Sequence, residues 1–294
     1  MRDLATSIHS SPEETGSFLS ALVDHLAAVV FTSAGVALLV VFGIHARVFS
    51  RLDDMLSMMV NGLALRSYGL DRVVVSFSDN VLVKGFPAVA AFFYAWFQTE
   101  SKASDHRISD DRQTLLFTVL ICAPAIVAAR ALAVALPFRS RPIFNANLHL
   151  KVAHTFDPTI LLSWSSFPSD HMVLFCALAT GVALVSWRAG VFSFAHAFLI
   201  IGLPRLYLGV HYTSDLLVGA LIGCGFAYLA NWTALRSLVT RPGLRLQQYS
   251  PGLFYAALFY LAAETANMYD QFRMLATAGS HGAHSLLHLL SRHV

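Results

Sequence analysis

Leu26 to Ile44 runs without a single charged side chain, and crossing a bilayer takes about 20 apolar residues. Comparable runs recur along the chain, at roughly 20–46, 80–98, 114–137, 169–187, 190–208 and 214–234. In hydrocarbon every backbone polar group must be satisfied internally, so runs of this length form helices. The sequence therefore predicts an all-α polytopic membrane helix bundle with six core transmembrane helices plus interfacial helices. Composition agrees: 56% of the 294 residues are hydrophobic and 13% are charged, where soluble domains carry about 25% charge.

Residues 1–294 read as a single membrane domain. Met1 to Ser17 is polar and lacks a basic stretch leading into a short apolar core, so the first span is expected to be retained rather than cleaved. In the connector 47–78, Leu52, Met55, Met58 and Met59 recur at helical spacing, which suits an interfacial helix. Pro251 to Ala263 is apolar but short and is followed by Glu264; a surface helix, a re-entrant helix and a seventh span all fit it. Residues 235–294 form a C-terminal extension. Within it His284 and His288 share one helix face, and with His281 they read as the polar side of an amphipathic tail. Cys122, Cys176 and Cys224 all fall in apolar runs without metal-ligand spacing, which fits small core residues. The net charge of +3 forms no basic stripe, so nucleic acid is not an expected partner.

Ionisable residues at the edge of a membrane are expensive, and each needs a reason. Three clusters stand out, and the six-span count puts all three at one face. Arg139-Ser140-Arg141-Pro142 ends the third span. Two guanidiniums one residue apart present planar forks that match phosphate oxygens. Ser166-Phe167-Pro168-Ser169-Asp170-His171 opens the fourth. Ser169 and Asp170 are candidate helix N-caps, a helix start favours anions, and His171 can protonate a leaving oxygen. The third runs from Arg205 to Asp215 and holds His211. On a helix, His211 and Asp215 are offset by about 40°. Asp215 can then fix one imidazole nitrogen as the donor and leave the other free to attack.

These clusters closely resemble the motifs of the type 2 phosphatidic acid phosphatase superfamily, over about residues 114–234. The third motif, an Arg, five residues, a His, three residues and an Asp, is matched by Arg205, His211 and Asp215. The second, Pro-Ser-Gly-His, is matched by Pro168, Ser169 and His171, with Asp170 in place of the Gly. That variant resembles the bacterial undecaprenyl-pyrophosphate phosphatase branch. The first matches at Arg141 and Pro142, but Val134 stands where the family has a lysine. Arg130, one helical turn earlier, and Arg139 are the candidates to replace that charge.

The resemblance implies a catalytic core at 114–234 and an integral-membrane phosphatase acting on a lipid phosphate or pyrophosphate. In it His211 is the nucleophile and forms a phosphohistidine, Asp215 orients it, and His171 is the acid. Arg141, Arg205, Ser169 and Asp170, with Arg139 or Arg130, would hold phosphate. It implies no metal and no cofactor, since guanidiniums take the electrostatic role. An isoprenoid pyrophosphate is the expected substrate; phosphatidic acid, phosphatidylglycerol phosphate and a lipid A phosphate stay open. The expected location is a bacterial inner membrane with the site on the outer face. A lipid phosphotransferase, and a non-catalytic lipid-phosphate binder or transport component, are the alternatives.

Overall fold

The computed structural model describes residues 47–98, 105–229 and 232–270, all within one compact unit, Ala46–Val294. The expected span at 20–46, and His281, His284 and His288, lie outside the described residues. Among the described residues all regular structure is helical: α1 (Arg47–Asn61), α2 (Tyr68–Asp79), α3 (Val81–Gln98), α4 (Asp105–Ala135), α5 (Asp170–Val185), α6 (Trp187–Tyr207), α7 (Thr213–Tyr228), α8 (Thr233–Tyr249) and α9 (Pro251–Ala266).

By length and apolar composition three of these can cross a membrane: α3, the Ser109–Ala135 part of α4, and α6. A fourth candidate is the pair α7 and α8, bent by 77° between them. The expected fourth span is α5, apolar from Met172 onward but only 16 residues long in all. The expected sixth ends at Tyr228, short of 234, and the chain turns there into α8. The protein is an integral membrane protein, and the outward faces of these helices fit that solvent. Val127, Val191, Phe198, Leu217, Leu221 and Phe259 are exposed, while Ala125, Ala129, Cys176, Ala177 and Ala220 lie inside. Small residues at the seams let backbones approach, which is how helices associate in lipid.

Two glycines make that approach possible. A Cβ at Gly219 would fall 2.6 Å from the Ser169 carbonyl oxygen, and one at Gly223 would fall 2.1 Å from that of Val173. Helix α7 is therefore pressed against the start of α5 through its second and third turns, and the Gly219/Gly223 pair is a packing device. Because α5 and α7 start, and α4 and α6 finish, at the same end of the bundle, the segment 136–168 lies over that end.

Segment 136–168 is held by α1. The expected helix forms, with Leu52, Met55, Met58 and Met59 exposed. Its buried side is polar: Asp53, Ser57 and Asn61, at i, i+4 and i+8, are each under 5% exposed. Asn61 donates from Nδ2 to the carbonyls of Lys151 (2.9 Å) and Tyr207 (2.8 Å), and its Oδ1 accepts from Lys151 N at 2.7 Å. Apolar outside and polar inside is the pattern of a helix lying at a lipid surface over a polar site.

Helix α6 contains a wide, π-helical turn at Ala197–Gly202, just before Pro204. Proline has no N–H to give the preceding turn, and π turns inside helices commonly sit next to functional sites. Helix α9 packs inward through Phe254, whose ring centroid lies 5.8 Å from that of Trp96.

The α5–α7 seam generates a paired prediction. Gly223→Ala is expected to lower the thermal stability of the detergent-solubilised protein by about 1–3 kcal/mol, the usual cost of overpacking. Gly225→Ala, with no heavy atom within 4 Å of its Cβ, is expected to be neutral or to stabilise by about 0.5–1 kcal/mol. Thermal unfolding of both variants checks this.

Candidate active site

His211 lies in the short link between α6 and α7 and is buried, at 4% exposure. The link turns on Gly209, which has φ +66°. A side chain there would be strained and would press on Ile143 and Leu150. The Gly209 carbonyl accepts from Ile143 N at 2.9 Å, and this ties the first sequence cluster to the third.

The imidazole Nδ1 lies 2.7 Å from the Ser166 carbonyl. A carbonyl can only accept, so Nδ1 carries the proton and Nε2 keeps its lone pair. Asp215, expected to be the orienting partner, stands farther off, with Oδ2 at 3.7 Å from Nδ1. Nε2 faces Arg141, whose Nη1 is at 3.4 Å.

Asp215 is completely buried. Its Oδ2 accepts from Ser166 Oγ at 2.7 Å and from Tyr212 N at 2.8 Å. The second of these is the reciprocal bond of a helix N-terminus. Its Oδ1 takes a bond from Arg139 Nη1 at 2.5 Å. Arg139 is thereby occupied. Its Nη1 also donates to Ser214 Oγ at 2.8 Å, its Nη2 to Asp53 Oδ2 at 2.8 Å, and its Cζ sits 4.2 Å over the Tyr212 ring centroid. The sequence suggested Arg139 for phosphate; in the structure its terminal nitrogens lie on two carboxylates.

Arg141, at 5% exposure, donates from Nη1 to the Val210 carbonyl at 2.9 Å, and its Nε is buried with no partner. Ser169 sits at the N-cap of α5, but its side chain makes no capping bond, and its Oγ is buried and unpartnered. Asp170 opens the helix and pairs through Oδ2 with Arg130 Nη2, while its Oδ1 and the Arg130 Nε are unpartnered and buried. The Arg130 guanidinium also lies over the Trp164 ring, 5.3 Å from its centroid. Val134, in contrast, is 87% exposed. His171, half-buried, follows Asp170 in the first turn of α5. Arg205 is buried and donates to the carbonyls of Ile201 (3.2 Å) and Ser78 (3.3 Å). The Phe167–Pro168 peptide is cis. The three clusters thus meet: the first and third at Arg141 and His211, the second and third at Ser166.

Burial sets the electrostatics. It pushes His211 below its ordinary range; Asp215 opposes this and Arg141 adds to it. Burial also lowers Arg141, to about 10, which leaves it charged at neutral pH. For Arg139 burial is outweighed by Asp215 and Asp53, and the net shift is upward. Among the described residues no group of three or more His, Cys, Asp or Glu is placed to hold a metal ion.

Asp53, Ser166, Tyr212 and Ser214 join the site only through the fold. The available signal for Asp53 was its spacing with Ser57 and Asn61, a polar stripe on a helix whose other side is Met- and Leu-rich.

Residues 138–237 match the family model described as the PAP2 superfamily. A curated relative, the bacitracin transport permease protein BcrC of Bacillus licheniformis, is 34% identical over 98 residues, covering 33% of this chain. The chain spans 42% of that relative's length. A solved structure described as the first transmembrane PAP2 type phosphatidylglycerolphosphate phosphatase, from Bacillus subtilis, aligns with a TM-score of 0.45 at 17% identity. That alignment covers 72% of this chain and 96% of the other.

The tautomer and burial argument is testable without substrate. In protein labelled with 13C-histidine and assigned with His211→Gln, the His211 ring is expected to titrate below about 6.5, the ordinary value. The sign follows from burial: the unfolded chain takes up the proton first, so protonation near this pH lowers stability. An inflection at or above 6.5 would contradict it.

Proposed function

With residues 138–237 matching the PAP2 superfamily, we propose that this chain is a membrane phosphatase that hydrolyses a lipid phosphate or pyrophosphate through a phosphohistidine on His211. The observation that carries the reading is the His211 ring itself. Its Nδ1–H is pinned on the Ser166 carbonyl, and its Nε2 lone pair faces Arg141. The buried Ser169 Oγ and Arg141 Nε lack partners. A mere anion-binding loop needs no histidine held in one tautomer.

In the proposed reaction Nε2 attacks phosphorus and the bond to the leaving oxygen breaks. The leaving oxygen takes its proton from the imidazolium of His171, which stands in the first turn of α5. Arg141, Arg205, the Ser169 hydroxyl and the N-terminal end of α5 meet the charge on the equatorial oxygens, the dominant requirement in phosphoryl transfer. Asp215 stabilises the His211 ring once it is positive. Water then attacks phosphorus, gives its proton to His171, and the N–P bond breaks to release phosphate. No metal enters this scheme, because the guanidiniums supply the positive field. Arg130 stands in for the family lysine and Asp170 sets its position. Arg139 is assigned to Asp215 rather than to phosphate.

The Asp170 variant favours an isoprenoid pyrophosphate as substrate. The reading keeps six core spans, counting α5 and α7 as short ones and 20–46 as the first. It places the site on the outer face of a bacterial inner membrane. The remaining basic residues mildly favour an inside N-terminus once Arg139 and Arg141 are set aside for chemistry. Its rival is a lipid-phosphate binder within a transport system, which the name of the Bacillus licheniformis relative, a bacitracin transport permease protein, favours.

Phosphate release from purified protein decides between them, assayed on a panel of isoprenoid pyrophosphate, phosphatidic acid, phosphatidylglycerol phosphate and lipid A phosphate, with and without EDTA. Release is expected with EDTA present. It should be lost in a folded His211→Ala variant, and turnover surviving there would remove His211 as nucleophile. Binding without release supports the transport reading, and release only with an added acceptor supports a transferase. Asp215→Asn should lower kcat with little change in KM, whereas Arg141→Ala should raise KM as well.

A further inference from the structure

We infer that Asp53, on α1, is a positioning residue for His211, acting through Arg139 and Asp215; the catalytic half of this inference rests on the phosphatase reading above.

Asp53 is 4% exposed and uses both oxygens on the site. Oδ1 accepts from Ser214 N at 2.9 Å; Oδ2 accepts from Ser214 Oγ at 2.5 Å and from Arg139 Nη2 at 2.8 Å. The Arg139 guanidinium bridges two carboxylates, with Asp53 on one arm and Asp215 on the other. Asp215 in turn faces His211 Nδ1 at 3.7 Å. The row reads minus, plus, minus, and then a ring that becomes positive when it is phosphorylated. Arg139 alone would neutralise Asp215 and cancel the field the ring needs. With Asp53 in place the three groups sum to one negative charge beside His211. Asp53 also fixes Ser214, next to Asp215 at the start of α7, so it sets geometry as well as field.

Other charged groups on the surrounding elements are Arg141 from the loop after α4, Arg130 from α4 itself, Asp170 and His171 from α5, Arg205 from α6 and Asp54 from α1. None of the three substitutions below alters any of them.

The experiment follows the His211 ring titration, in 13C-histidine-labelled protein, together with kcat and KM against pH. Asp53→Asn removes one negative charge from the row. The His211 inflection should fall by about one pH unit, and kcat should fall about tenfold, since one unit of ring basicity corresponds to about 1.4 kcal/mol. KM should change little. Asp53→Glu should restore part of both. Arg139→Gln leaves two negative charges and should move the inflection the other way, upward.

A folded Asp53→Asn protein with an unmoved inflection overturns the inference, whatever its activity. So does a downward shift in Arg139→Gln. Either variant decides the matter if the other does not fold. The titration needs no substrate. Shifted inflections in a protein that releases no phosphate from any lipid would reject the phosphatase reading and keep the positioning of His211.

Discussion

A carboxylate with no exposure to water is the constraint around which this end of the bundle is arranged. Asp215 is completely buried, and a buried ion that loses a partner costs about 3–5 kcal/mol. Its surroundings meet that demand with four partners: a guanidinium, a hydroxyl, a backbone amide and a nearby imidazole. They come from three stretches of chain. Arg139 lies beyond α4, Ser166 before α5, and Tyr212 and His211 before α7. The geometry of the site and the docking of its loops are therefore one problem with one solution. Removing any partner changes both.

That solution needs a counter-charge from outside the three clusters. One guanidinium between two carboxylates can be held rigidly, because its fork presents several donors in a plane and each arm can take a separate oxygen. A lysine, as a single point, would not hold Asp53 and Asp215 apart in the same way. Helix α1 thus has two jobs set by one pattern. Its Leu and Met side is exposed in the manner of a lipid-facing surface, and its Asp53 and Asn61 side clamps segment 136–168 and the chain on either side of His211.

The helices and the polar clusters could be read from sequence because their signals are local. Apolar runs report spans, and His211 with Asp215, or Ser169 with His171, are separated by a few residues. What could not be read depends on pairing across the fold. The distance from Asp53 to Ser214 along the chain is 161 residues, and no periodicity encodes it. The nearest partner of His211 Nδ1 is a backbone carbonyl, that of Ser166, and a carbonyl leaves no trace in residue type. The bend after Tyr228 is likewise invisible in hydropathy, since the apolar run continues past it. In α6 the proline at 204 was legible, but the wide turn it accompanies was not.

The fate of the missing lysine follows from the same reasoning. Val134 is among the most exposed apolar residues described, at 87%, so a charge at that position would point out of the bundle and not toward the buried His211. Moving the charge back four residues to Arg130 keeps it on α4 and gives it a carboxylate, Asp170, at the mouth of α5. On the proposed reading, in which Arg130 supplies the lysine's charge, the Asp in place of the motif glycine and that Arg form one compensated change, because the two side chains pair. An aspartate alone at a helix start would repel a phosphate there, and an arginine alone would be an unpaired ion at the membrane edge. Together they present a neutral pair that still keeps unpartnered polar atoms, Asp170 Oδ1 and Arg130 Nε.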